Sequence, residues 1–249
     1  MDNSIIHKAK NTISSNLEAI RGKIKEAALS SARRPEDITL LAVSKRHSAE
    51  VVTGGILCGI TNLGENRLQE AAEKIPSVKN YLDSQKFDSK QLRWHLIGRL
   101  QSNKASKAAR LFDVIESVES LKVATKLSTT ISEIGKTLDV FVEVNTSGEP
   151  QKGGLQPNQV RAFAEEIMDL PGLKLVGLMT IGPHTTDQNR IRASFRELRF
   201  LRDDIVDNLP GSSFLGKLSM GMSGDYPLAI AEGTTEVRIG TSVFGKRPD

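Results

Sequence analysis

Eight short apolar runs recur along the 249 residues with helix-forming stretches between them, and this alternation constrains the fold more than any other feature. The runs are Thr39–Val43, Asn62–Gly64, Trp94–Ile97, Asp113–Glu116, Asp139–Asn145, Lys174–Thr180, Phe214–Met220 and Glu236–Ile239. Asp139-Val-Phe-Val-Glu-Val-Asn145 is the clearest, dense in β-branched residues and too polar at both ends for a helix. Ala49–Gly59, Ser120–Glu133, Pro157–Asp169 and Asp187–Asn208 read as helices, and the last carries Ile191, Phe195, Leu198, Leu201 and Ile205 on one face. Ile6, Ile13, Leu17, Ile20, Ile24 and Ala28 predict one more amphipathic helix at the N-terminus, ending before Pro35. Eight strand–helix units in about 210 residues predict a closed (β/α)8 barrel. A doubly wound open sheet is disfavoured because no GxGxxG follows the first strand. The connections at Gly148–Gly154, Gly182–Pro183 and Pro210–Gly211 are too short for interdomain linkers. A single domain is therefore expected over 1–249, with the N-terminal helix at about 4–30 and the barrel at about 38–247.

Composition narrows the function. The net charge is +4 and the isoelectric point about 9.1, but the basic residues are dispersed and aromatics make up only 4%. No stretch mixes Lys and Arg with stacking rings, so a small anionic ligand fits better than nucleic acid. No run approaches the ~20 apolar residues of a membrane span. The first twenty residues lack the basic and apolar regions of a secretory signal. Cys58 is the sole cysteine, which excludes an intramolecular disulfide and a thiolate metal cluster, and a reducing cytosol is the expected compartment. His7, His47, His95 and His184 show no metal-ligand spacing, and His95 is expected to be a hydrogen-bonded core residue. No metal is expected. The basic residues from Arg99 to Arg110 read as a solvated helix face, and Tyr81 as part of a surface segment.

In a barrel of this kind the chemistry belongs at the C-terminal strand ends, and phosphate commonly binds after strands 7 and 8. Ser219-Met-Gly-Met-Ser-Gly-Asp225 leaves the seventh strand and Arg238-Ile-Gly-Thr-Ser242 the eighth. Both set glycine beside hydroxyls, where the backbone can approach an anion and offer N–H donors. Lys45 ends the first strand, beside the eighth once the barrel closes. An amine near cationic groups loses its proton more readily, which suits Schiff-base chemistry. Lysine, phosphate cradle and barrel mouth together point to an aldehyde-phosphate cofactor.

The runs Ala42-Val-Ser-Lys45, Gly64-Glu-Asn66, Trp94-His-Leu-Ile-Gly98, Leu100-Gln-Ser-Asn-Lys104, Asn145-Thr-Ser-Gly148, Gly177-Leu-Met-Thr180, Leu218-Ser-Met-Gly-Met-Ser223 and Val237-Arg-Ile-Gly-Thr241 closely resemble, in order, the pyridoxal phosphate homeostasis protein family. The resemblance implies a barrel like the N-terminal domain of alanine racemase. It implies pyridoxal 5′-phosphate as cofactor, with Lys45 as its Schiff-base lysine. Ser223, Gly240 and Thr241 would contact the phosphate, Arg238 would face the pyridine nitrogen, Asn66 would lie on the hydroxyl side of the ring, and Met222 would pack beside it. Arg46-His-Ser48 and Arg67 depart from the family pattern and bear on the shape and charge of the mouth. The function implied is cofactor homeostasis without enzymatic turnover, by a cytoplasmic monomer that buffers pyridoxal phosphate or delivers it to apo enzymes, with neither nucleic acid nor membrane as partner. An arginine is a donor that keeps its charge, so it cannot stabilise a protonated ring nitrogen as a carboxylate would, and the cofactor becomes a poor electron sink. The alternative is an amino-acid racemase of the alanine-racemase type. It needs a second base opposite Lys45, and the chain offers only Tyr226 for that place. Lys152 reads as a mobile surface lysine that could reach the mouth.

Overall fold

The structure, a computed structural model, describes residues 1–213 and 215–246. Helix α1 (Asn3–Ser30) precedes β1 (Thr39–Val43), α2 (Ala49–Leu57), β2 (Asn62–Glu65), α3 (Leu68–Ser84), β3 (Arg93–Leu96), α4 (Ala105–Leu111) and β4 (Val114–Val118). There follow α5 (Leu121–Glu133), β5 (Leu138–Glu143), α6 (Val160–Met168), β6 (Leu173–Met179), α7 (Gln188–Asn208), β7 (Lys217–Met222), α8 (Tyr226–Ala231), β8 (Glu236–Ile239) and α9 (Thr241–Phe244). The strands pair in parallel in chain order and β8 returns to β1, closing the expected (β/α)8 barrel.

Strands β1 and β8 have the predicted bounds, and the largest displacement is at β7. The predicted strand began at Phe214, which lies outside the described residues, and stopped at Met220; β7 instead starts at Lys217 and continues to Met222. The cause is Gly221, whose φ of +94° sits in the left-handed region and marks a register shift between Ser219 and Met222. A Cβ at this glycine would lie 2.5 Å from Ala229 Cβ. A glycine that reads as a turn residue is thus a bulge within the wall, and the connecting loop shrinks to Ser223–Asp225.

All six apolar residues predicted for the first helix are buried. Helix α1 runs against α2, where a Cβ at Gly54 would meet Ala9 Cβ at 2.9 Å and Ile6 O at 3.0 Å. It is also tied to the end of the barrel, Asn16 Nδ2 donating to Val243 O (2.9 Å) and Arg33 Nη1 to Ile230 O (3.0 Å). The main core fills the layer between sheet and helices. A second, smaller apolar cluster of Val114, Phe141, Val176 and Met179 comes from β4, β5 and β6. Among the described residues no helix is long and apolar enough to cross a membrane.

Candidate functional site

Three adjacent strands carry most of the predicted site. Ala42 pairs with Ile239 and Met222 with Arg238, so the segments leaving β1, β8 and β7 emerge side by side. Lys45 follows β1 by two residues and is half-buried. Val43 pairs with Gly64, so Lys45 and Asn66 each follow a paired position of neighbouring strands by two residues. Ser223 and Thr241 are exposed at this end, while Gly240 is buried and opens the short helix α9, whose first N–H groups have no partner within the helix. Met222 closes β7 and remains 39% exposed, lining with Ile181 and Asp225 a groove of about 690 Å³. Asn66 lies in a separate groove of about 430 Å³ with Arg67, Arg99 and Lys104. Arg99 also pairs with Glu119 at 2.9 Å.

Arg238 is deep in the wall, 5% exposed. Its Nη1 donates to Ser219 Oγ and its Nη2 to Thr180 O, both at 2.7 Å. These bonds engage two of the five N–H donors of a guanidinium. Beneath it the hydrogen bonds continue across the lumen: Ser219 Oγ donates to Glu116 Oε2 (2.6 Å), and Glu116 Oε1 lies 2.7 Å from His95 Nδ1. His95 Nε2 is 3.3 Å from Asn62 Oδ1. Burial lowers the His95 pKa, which disfavours the charged ring. The same burial raises Glu116, against the pull of Arg238. Glu236 completes the cluster, its carboxyl pushed up to about 7 by burial and by Glu116. Glu143, at the end of β5, is raised to about 7 by burial and by Glu119.

His95, Glu116 and Glu236 are the types of residue that hold a metal, and their ligand atoms lie within 4.8 Å of one another. Two ligands of one tetrahedral zinc ion stand roughly 3.3 Å apart at bond lengths of about 2.0–2.1 Å. The 2.7 Å between His95 and Glu116 is the spacing of a shared proton.

Lys152 is not a loose surface residue: its Nζ donates to Gly182 O at 2.6 Å and pairs with Glu149. Arg238 is likewise internal, since both of its named bonds lie inside the barrel. Tyr226 is 6% exposed within the main core, and burial raises its phenol. Sequence reasoning missed the lumen carboxylates Glu116 and Glu236, the relay residue Ser219, and a buried cluster of Glu65, Glu70 and Lys74 beside Lys45. The available signal was period two on the strands, which puts Glu236 and Arg238 on one face of β8.

A closed parallel (β/α)8 barrel with a buried arginine, an amine and hydroxyl-glycine loops at one end has the architecture of the alanine-racemase N-terminal class. A model of that family, the alanine racemase N-terminal domain, matches residues 15–248. The pyridoxal phosphate homeostasis protein of Pseudomonas aeruginosa is 40% identical over 236 residues, covering 95% of this chain and 96% of that one. The structure of PipY of Synechococcus elongatus with PLP bound superposes with a TM-score of 0.80 at 34% identity, covering 94% of this chain and all of the other. This chain belongs to the pyridoxal phosphate homeostasis protein family. An alanine racemase from Clostridium difficile 630 has a TM-score of 0.72 at 18% identity, over 96% of this chain and 61% of that one, a likeness of fold.

Proposed function

We propose that this chain binds pyridoxal 5′-phosphate at the barrel mouth through a Schiff base on Lys45, and serves as a reservoir that buffers or delivers the cofactor. The observation that carries this reading is the convergence of the β1, β7 and β8 ends, which brings together an amine, two hydroxyl-glycine loops and a buried guanidinium. That donor set fits the group: Ser223, the Gly240–Thr241 backbone and Thr241 for the phosphate, Lys45 for the aldehyde, Arg238 for the ring nitrogen, Asn66 for the hydroxyl side, and Met222 as a packing contact. When bound, the group supplies an aldehyde that condenses reversibly with amines. The chain's part is to hold the phosphate, orient Lys45, and keep a permanent cation at the ring nitrogen, which withholds the electron sink that turnover would need.

A racemase needs a second base beside the substrate carbon. Tyr226 packs against β7 within the core, and burial raises its pKa, which leaves less of the phenolate available as a base at neutral pH. The curated relatives are named for homeostasis.

The test mixes loaded protein with an apo pyridoxal-phosphate enzyme, follows recovered activity, and assays several amino acids for racemisation. Recovery of the recipient without racemisation is expected. Rapid, saturable racemisation lost in Tyr226→Phe would establish the enzyme instead, and failure to reactivate any recipient would remove the delivery role.

A further inference from the structure

The buried cluster beside Lys45 joins three elements. Lys74, on α3 and with a side chain 5% exposed, donates from Nζ to Glu65 Oε1 at the end of β2 (2.7 Å), to Glu70 Oε1 one turn earlier on its own helix (2.7 Å), and to Ser44 O (2.9 Å). Ser44 Oγ donates to the same Glu65 oxygen at 2.6 Å, and the Arg46 amide donates to Glu70 Oε1 at 2.5 Å. The residues on either side of Lys45 are thus both bound to groups that Lys74 holds. Arg46 has a φ of +66°, a left-handed conformation that costs a residue with a Cβ about 1–2 kcal/mol. Its amide bond to Glu70 and the turn from His47 N to Ser44 O (3.1 Å) maintain that shape.

A buried ammonium with three acceptors is a strong structural tie, yet a general stabiliser has no need to grip the Ser44 carbonyl directly and the Arg46 amide through Glu70, the two groups that flank one side chain. We propose that Lys74 is a positioning residue for Lys45: through Ser44 O and the Glu70–Arg46 bond it fixes the 44–46 backbone so that Lys45 presents its amine to the cofactor aldehyde. This rests on the reading of Lys45 given above. In the step served, the unprotonated Lys45 Nζ adds to the aldehyde carbon, a C=N bond replaces C=O, and the oxygen leaves as water with the two amine hydrogens.

The test uses the full chain and two probes. Pyridoxine 5′-phosphate has no aldehyde and reports noncovalent binding; pyridoxal 5′-phosphate, trapped with borohydride at timed intervals, reports covalent capture. Lys74→Met should slow capture by roughly ten- to hundredfold, the cost of misplacing a reacting group. Its affinity for pyridoxine phosphate should stay within about twofold, since uniform binding is untouched. Glu70→Gln, which keeps the acceptor without the charge, should slow capture by roughly two- to fivefold. Unchanged capture in a folded Lys74→Met overturns the proposal, as does a parallel loss of both probes, which would mean general damage. If Lys74→Met does not fold, Glu70→Gln decides by the same two criteria. Capture that persists in Lys45→Ala would instead overturn the assignment of the Schiff-base lysine.

Discussion

Ser223 stands exposed on the β7 loop, and its proposed role is to donate to the phosphate. A hydrogen bond to a charged acceptor contributes roughly 1.5–3 kcal/mol, so Ser223→Ala should weaken pyridoxal phosphate binding by about one to two orders of magnitude. Titration with unphosphorylated pyridoxal is the control: its weaker binding should be insensitive to the substitution, and equal affinity for the two forms would remove the phosphate assignment. Glu236 carries a second prediction. Burial and Glu116 raise its folded pKa to about 7, above the unfolded value near 4.5, so the folded state holds the extra proton between them. Its contribution is present below the unfolded pKa and is lost as pH rises through about 7. Glu236→Gln mimics the protonated form and should gain on the natural protein by up to about 3 kcal/mol between about pH 5 and pH 8. Urea midpoints at both ends of that range check this, and a constant difference would show that Glu236 stays ionised in the fold. The places of Lys45, Ser223 and Arg238 at or near strand ends were legible in the sequence, and their roles in cofactor binding are proposals. Of the cluster below, His95 was expected as a hydrogen-bonded core residue, but its partners were not legible. His95 and Glu116 are 21 residues apart and Ser219 and Glu116 are 103 apart, and only barrel closure brings them together.

At the scale of elements, the packing of α1 on α2 depends on one small residue. A Cβ at Gly54 would press on Ala9 and on the α1 backbone at about 3 Å, and the backbone cannot give way as a flexible side chain can. Gly54→Ala should therefore destabilise by about 1–3 kcal/mol. Gly22, exposed within α1 with nothing within 4 Å of its would-be Cβ, should behave oppositely, Gly22→Ala stabilising by about 0.5–1 kcal/mol. Thermal denaturation of the two variants measures both, and like signs would contradict the packing described. Most element positions could be read from the sequence because α1 shows period 3.6 and β5 has strong β-branched character. Where the reading slipped, at β7, the deciding fact was a backbone conformation: Ser219-Met-Gly-Met has the composition of a turn and the structure of a bulged strand.

For the whole molecule, closure makes β8 the neighbour of β1, and α1 is bonded to the β8–α9 segment through Asn16. The Lys45 segment and the β7 and β8 loops therefore belong to one end of the barrel, although nearly 200 residues separate Lys45 from Thr241. A reservoir of this kind must exchange its cargo. Water or an incoming amine can reverse the proposed linkage at Lys45, after which only the noncovalent contacts proposed for the phosphate and the ring would retain the ligand. The account's central claim is that linkage, and the most direct measurement is borohydride reduction of the loaded protein followed by mass mapping of its peptides. The predicted result is a single phosphopyridoxyl group on Lys45, with no visible absorbance band and no adduct in Lys45→Ala. An adduct on Lys152 or another lysine, or an unchanged band in Lys45→Ala, would contradict it.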